Sequence, residues 1–469
     1  MLPLAVTAAE SSEGQTTTDA EQISLADYVE TYMADRPALN RAEVAVDKQK
    51  LRVDRALDAR KSDVSVDSGV GSHLYDYTSP FPFRPVGYLR TDGTYTDQFA
   101  DGTQLEVDLH SRAPMESHPT GGTLQYGASG AVRVPVPKNR NGRLYELRAD
   151  VARAETEASR NDLRAEKLFS CRDAIIRYVV SYVARRRLEV YRDLLDDKRS
   201  IYYQTDADYR KKMVSRLDYL AARSDWLEAK SREQQYIAAV DRADASLRAF
   251  GEVPSPAALR RPDWKAAPDA SGEALRERIA ESHPKAARYE ARRRAAQREQ
   301  KLIRERLRTQ LDLGVTVGVD RLHDRIDPAG RPADVTDAYV LGTLRLRWPI
   351  RRPRKSLDIE LLGLRQQKLE HARRQTVREL TEGVRRARSR ITRSRSELNA
   401  LEEQLKVSER RIAEAREQYR AGKLEFQDFL DHWQPYQRTR LRLWELRRTI
   451  WRTRAELIPM LDYLPEVCR

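Results

Sequence analysis

Between Val377 and Tyr419 a seam of residues, apolar but for Ser394 and Ser408, returns every third or fourth position without a break. Val377, Leu380, Val384, Ile391, Leu398, Leu405, Ile412 and Tyr419 mark the seam, and a seam so sustained predicts a helix of coiled-coil type. A helix from about Ser356 to Arg420 would be roughly 100 Å long at 1.5 Å per residue. Such a helix belongs in a bundle, a coiled coil or a wall. Leu144, Leu147, Val151, Ala158, Ala165 and Leu168 step in the same way, and the broader apolar stretch Ile175 to Val183 continues them.

In four places the period shortens to two, the spacing of a strand. Val64, Val66, Val70 and Leu74 alternate with Asp63, Ser65, Asp67 and Gly69. Leu124, Tyr126, Ala128, Val132, Val134 and Val136 alternate with Gln125, Gly127, Ser129 and Arg133. Leu311 to Val319 and Val340 to Ile350 complete the set, each with apolar residues on one side and Asp, Gly, Thr or Arg on the other. The Pro/Gly/Tyr-rich stretch 79–121 is too long for an ordinary hairpin loop. Leu105, Val107 and Leu109 alternate within it, as in a small accessory ribbon.

These elements occur twice in the same order, which fixes the organisation before any fold is chosen. The stretch from Tyr419 to Leu430 has a weaker copy at Tyr209 to Leu220. Tyr419, Arg420, Asp428 and Leu430 match Tyr209, Arg210, Asp218 and Leu220. Gly422 is the helix breaker in the second copy, so each long helix is expected to turn back there. Residues 1–24 form a tail, and 25–252 a first repeat with strands at about 63–76 and 123–136 and a helical hairpin at 144–250. Residues 253–282 link it to a second repeat, 283–461, with strands at about 311–321 and 339–350 and a hairpin at 356–459. Residues 462–469 form a C-terminal tail.

Composition narrows the function. Charged residues make up 34% of the chain and the formal net charge is +14. Glu and Arg are interspersed, as on solvated faces of long helices, and no basic cluster with interleaved aromatics marks a nucleic-acid surface. The sequence shows no nucleophile–base pair, phosphate loop or metal-ligand spacing, so neither an enzyme nor a cofactor is expected. Cys171 and Cys468 have no framework spacing and read as free buried or terminal thiols. No apolar run is long enough for a membrane-spanning helix. The start, Met1 to Glu10, is apolar and ends in small residues, like the tail of a secretory signal. No cysteine near it offers a lipid anchor.

No core-forming segment is left to cover the apolar faces of the strands. Lipid covers them equally well, with the polar faces toward water. Four strands cannot close a barrel, and open edges are not viable in hydrocarbon. Subunits must therefore share one. Three copies would give twelve strands and a channel suited to the Asp, Gly, Ser and Thr faces. The expected fold is an α+β membrane protein: a long coiled-coil α-helical barrel, plus a transmembrane β-barrel of four strands per protomer completed by trimerisation. A periplasmic adaptor-like protein or a coiled-coil scaffold without a channel is the rival reading. The first would carry a single hairpin with soluble β-domains, and the second would need neither amphipathic strands nor a repeat.

This order of elements resembles the TolC-like outer-membrane efflux family from about Leu25 to Leu461. The parts that carry the likeness are the Pro-started helices at Pro37 and Pro284, the strand-end Pro135 and Pro349, and the run Tyr419, Gly422, Asp428, Asp431. The resemblance implies a homotrimer in outer-membrane lipid, with a twelve-stranded barrel and a periplasmic α-barrel. It implies a periplasmic adaptor and an inner-membrane pump as partners, and efflux or type I secretion as the task. It places Asp428 and Asp431 at acidic rings of the periplasmic entrance, with Asp218 and Tyr419 as a linking acid and its tyrosine partner. Pro435, one turn beyond the rings, is expected to kink its helix. Two positions depart from the family pattern: Leu424 stands at a basic link position, and Lys212 where glycine is usual.

Overall fold

The computed structural model describes the chain except residues 1–21, 35, 59–61, 75–84, 100, 115–123, 137, 250–257, 266–271, 325–332, 349–352 and 469. The signal-like start and the strand-end Pro349 lie outside the described residues. In chain order the elements are β1 (Gln22–Ile23), α1 (Leu25–Ala34), α2 (Pro37–Asp58), β2 (Asp63–Leu74), β3 (Pro85–Gln98), β4 (Gln104–Pro114), β5 (Leu124–Pro135), α3 (Arg143–Arg210) and α4 (Arg216–Arg248). Then come β6 (Ala258–Leu259), α5 (Gly272–Ser282), α6 (Pro284–Arg306), β7 (Gln310–Asp324), β8 (Ala333–Arg347), α7 (Pro353–Arg420) and α8 (Phe426–Leu461). The repeat is visible in the elements themselves: α3 and α7 are both 68 residues long. The short helix α5 precedes α6 as α1 precedes α2, and it falls in the segment 253–282 that the sequence reads as linker.

The chain divides into two compact units. One comprises Met1–Arg41, Arg164–His283 and Val377–Arg469. Its core is aromatic, with Tyr28, Tyr32, Ile175, Tyr178 and Val179 at most 1% exposed. The Tyr178 hydroxyl lies 2.8 Å from the carbonyl oxygens of both Ile23 and Arg260, which fastens the small parallel pair β1 and β6 to α3. Burying a phenol requires such a partner. The buried His283 donates from Nε2 to the Pro459 carbonyl at 2.7 Å.

Cys171 and Cys468 meet in this core and form a disulfide, their Cα atoms 5.9 Å apart. That corrects the expectation of free thiols. The two residues stand 297 positions apart, and only the packing of the C-terminal tail against α3 brings them together. A structural disulfide is at home in an oxidising compartment.

The other unit comprises Ala42–Leu163 and Pro284–Thr376. It is built on an antiparallel sheet of order β2-β3-β4-β5-β7-β8. The sequence places four strands here, and the described residues form six. The stretch 79–121, expected to be a long loop with a small accessory ribbon at Leu105 to Leu109, contains β3 and β4. The hairpin is joined by a tight turn in which Phe99 N–H donates to Thr103 at 2.9 Å and Gly102 to Phe99 at 3.0 Å. Gly102 has φ +90, and a Cβ there would press on the Asn139 carbonyl. The turn therefore abuts the segment that leads from β5 into α3. Helix α6 packs small residues inward, among them Ala286, Ala291 and Ala296. Arg288 and Arg292 both reach Asp162 of α3 at 2.9 Å.

Candidate channel entrance

Helices α3 and α7 end in the same backbone motif. At the end of α3, Met213 N–H donates to Asp208 and Lys212 N–H to Tyr209, both at 2.9 Å. At the end of α7, Lys423 donates to Gln418 at 2.9 Å and Gly422 to Tyr419 at 3.0 Å. This paired closure satisfies the last carbonyls of a helix and needs one left-handed residue. Gly422 supplies it with φ +66 and Lys212 with φ +60. The lysine thus takes the glycine geometry and the turn is unchanged.

After the turns the copies diverge. In α4, Ser215 and Asp218 form a reciprocal cap: Asp218 N–H donates to Ser215 Oγ at 3.1 Å, while Ser215 Oγ and N–H donate to Asp218 Oδ2 at 2.6 and 3.2 Å. Ser-x-x-Asp before a helix is the sequence signature of such a cap, a signal at Ser215 that the reading of Asp218 as a linking acid passed over. In α8 the N-cap is Glu425, whose side chain makes no capping bond. Asp428 holds the position in α8 that Asp218 holds in α4. Asp428 and Asp431 are both exposed, whereas Phe429, Leu430 and Trp433 beside them are at most 5% exposed. The two acids therefore share the outward side of the first two turns of α8, whose other side is packed.

Tyr419 lies in that packing. Its ring stacks on Phe429 with centroids 5.3 Å apart, and it borders a small cluster in which Leu430 meets Ala222. The cluster joins the two turns. Burial pushes the Tyr419 hydroxyl pKa up. A hydrogen bond with Thr205 opposes that shift, and the carboxylates of Asp208 and Asp218 add to it. Asp218 is therefore near Tyr419, but its carboxylate is engaged at the Ser215 cap. Deeper in the hairpins Lys198 lies over the Trp433 ring at 5.4 Å and Arg416 pairs with Asp197 at 3.2 Å. Phe429, Trp433 and Thr205 are the structural residues here that sequence reasoning did not single out. Leu424 is half-buried against the same packing, so no cation stands at that link position. Helix α8 continues through Pro435, whose carbonyl accepts from Thr439 Oγ1 at 3.0 Å.

Among the described residues no group of three or more His, Cys, Asp or Glu could hold a metal, and no helix is long and apolar enough to cross a membrane. The sheet carries the other surface of consequence. Val64, Leu109, Val317, Val340 and Leu344 stand on one face, each more than half exposed. The other face carries Thr94, Asp108 and Asp320, with Thr94 Oγ1 donating to Asp108 Oδ1 at 2.9 Å.

Residues 275–461 match the family model described as outer membrane efflux protein. No curated protein matches the sequence. Solved structures do match over 93% of this chain. The Campylobacter jejuni CmeC outer membrane channel matches at 10% identity with a TM-score of 0.69, over 85% of its own length. The Vibrio cholerae outer membrane protein VceC matches at 11% and 0.65 over 95%, and the open-state Neisseria gonorrhoeae MtrE outer membrane channel at 13% and 0.65 over 88%. At these identities the likeness establishes the fold.

Proposed function

We propose, from the match of residues 275–461 to the outer membrane efflux protein family model, that the protein is the outer-membrane channel of a tripartite efflux or type I secretion system. One observation carries the reading: a sheet with an exposed, largely apolar face and a polar opposite face. Water on both sides would leave that apolar face uncovered, whereas lipid on one side and a water-filled bore on the other satisfy both. The rival scaffold reading gives such a sheet no place. The edges β2 and β8 demand partners in hydrocarbon, and further copies of this chain supply them. We take the assembly to be a homotrimer that meets a periplasmic adaptor and, through it, an inner-membrane pump.

The turn at Gly422 is the periplasmic entrance in this reading. Three copies of Asp428 and Asp431 make two stacked acidic rings around a narrow bore, with Tyr419 and Asp218 behind them. The buried disulfide accords with folding in the periplasm. Carbonate-washed envelopes separate the readings. The protein should stay with the outer membrane and leave detergent extraction as a trimer. A monodisperse monomer that keeps its β-signal, or release by carbonate, would sink the channel reading.

A further inference from the structure

The β3–β4 hairpin is inserted into the plane of the sheet. It pairs with β2 along one side, from Asp63 opposite Thr96 to Leu74 opposite Pro85, and with β5 along the other, from Gln104 opposite Arg133 to Arg112 opposite Gln125. Strands β2 and β5, which would be neighbours in a four-strand wall, are held apart by it.

The insertion keeps the faces in step. One transverse row runs Val64, Tyr95, Val107, Gly130, Val317, Val340. The adjacent row, on the opposite face, runs Ser65, Thr94, Asp108, Ser129, Gly318, Tyr339. A one-residue slip at any of these pairings would turn every side chain of the strand to the wrong face. No slip occurs, so the hairpin presents apolar residues to the same side as the other four strands.

Polar side chains then stitch the hairpin to its neighbours on the other face. His110 of β4 approaches Asp320 of β7 to 3.1 Å, reaching across β5. The residue between them is Gly127, where a Cβ would collide with both side chains. Glu106 of β4 pairs with Arg133 of β5. A hairpin lying outside a barrel would not share a glycine-gated contact with the strand two places away.

Strand β4 has 11 residues and β3 has 14, and about 9–11 suffice to cross a membrane. We infer that the hairpin is part of the membrane wall, so that each protomer contributes six strands and the trimer closes an eighteen-stranded barrel, β8 of one copy joining β2 of the next. The inference rests on the trimeric channel reading. Barrel diameter grows roughly in proportion to strand number, so this barrel would be about half as wide again as one of twelve strands. Its polar face mixes Asp, Glu, His and Arg. That lining suits a water-filled exit for bulky, hydrated cargo of either charge.

Electron cryomicroscopy of the unmodified protein in lipid nanodiscs counts the strands directly. Eighteen in three copies supports the inference and twelve overturns it. A ring with another copy number but six strands per copy removes the trimer and keeps the hairpin in the wall. Site-directed spin labelling of the full chain in vesicles adds a second measurement. The native cysteines are joined, so a single introduced cysteine takes the label. Labels at Val107, Leu109 and Val317 should be accessible to oxygen, and labels at Glu106 and Asp108 to a water-soluble nickel complex. If Val317 meets lipid and β4 shows no alternation, the inference fails and the channel stands. If Val317 does not meet lipid, the channel reading itself fails.

Discussion

The ring of Tyr419 lies stacked on that of Phe429, with 5.3 Å between centroids. The first repeat makes the same contact between Tyr209 and Tyr219 at 5.1 Å. In each copy the last turn of one helix is clasped to the first turn of the next by rings ten residues apart. The second clasp is the deeper, since Phe429 is 1% exposed while Tyr209 is 36% exposed. Phe429→Ala should therefore destabilise the entrance hairpin by about 3–5 kcal/mol, the range for emptying a buried aromatic site. Tyr219→Ala should cost much less. Tyr419→Phe keeps the clasp and loses only the hydroxyl's bond, about 1 kcal/mol. Thermal unfolding followed by circular dichroism ranks the three. Burial raises the Tyr419 pKa above its unfolded value, so its contribution is complete below about pH 10 and is lost as pH rises through the folded pKa. Tyr419→Phe should accordingly flatten part of the alkaline decline in stability.

The two turns predict opposite responses to opposite substitutions. Lys212 carries a side chain at φ +60, where a non-glycine residue costs roughly 1–2 kcal/mol. Lys212→Gly should stabilise the first hairpin by about 1 kcal/mol. Gly422 has the same conformation, and a Cβ there would meet nothing within 4 Å. Gly422→Ala should destabilise by a similar amount through the backbone alone. Equal effects of one sign in a denaturation series would show that the turns do not share a conformation.

The disulfide gives a third expectation. Cys171 and Cys468, 297 positions apart, close more than half of the chain into one loop, and both are buried in the aromatic core. Cys468→Ser should lower stability by about 2–5 kcal/mol. Reductant should produce the same shift in the wild type once the core is loosened, and none in the variant. Unchanged melting in the variant would show that core packing alone holds the tail.

The repeat, both long hairpins and strands β2, β5, β7 and β8 were legible because each carries a recurring period over ten or more residues. Strand β3 was not. Its apolar face offers Leu89 and Tyr95 among Gly87, Thr91 and Gly93, too thin an alternation to announce a strand. Its pairing with β2 and β4 supplies what its own sequence lacks. Strand β4 showed its alternation at Leu105, Val107 and Leu109, but nothing local says that a hairpin joins the main sheet. The disulfide was hidden for a similar reason, since tertiary packing creates the proximity. At the entrance, the Ser-x-x-Asp spacing at Ser215 carries the α4 cap, although the sequence reading took Asp218 only as a linking acid. The stacking of Tyr419 on Phe429 required knowing that the two helices fold back on each other.

The divergence between Asp218 and Asp428 sharpens the prediction for the entrance. They hold equivalent helix positions, yet Ser215 makes Asp218 a cap while Glu425 makes no side-chain cap. An acid in a first helical turn is favoured by the helix dipole whatever else it does. Exposure of Asp428 alone would therefore signify little. Asp431 changes this, because it lies one turn on, exposed on the same side, where no capping role exists. In three copies the pair places six carboxylates around one axis, which attracts cations, repels anions and offers oxygens to a divalent ion. Pro435 adds to this, since it lacks the N–H that would bond the Asp431 carbonyl. Asp428→Asn with Asp431→Asn should lower cation selectivity in planar bilayers and weaken block by divalent cations, with trimer stability unchanged. Asp218→Asn should do the reverse, weakening the α4 cap by about 1 kcal/mol and leaving selectivity alone. If the double variant selects and blocks as the wild type does, the two acids are surface residues and the entrance is gated elsewhere.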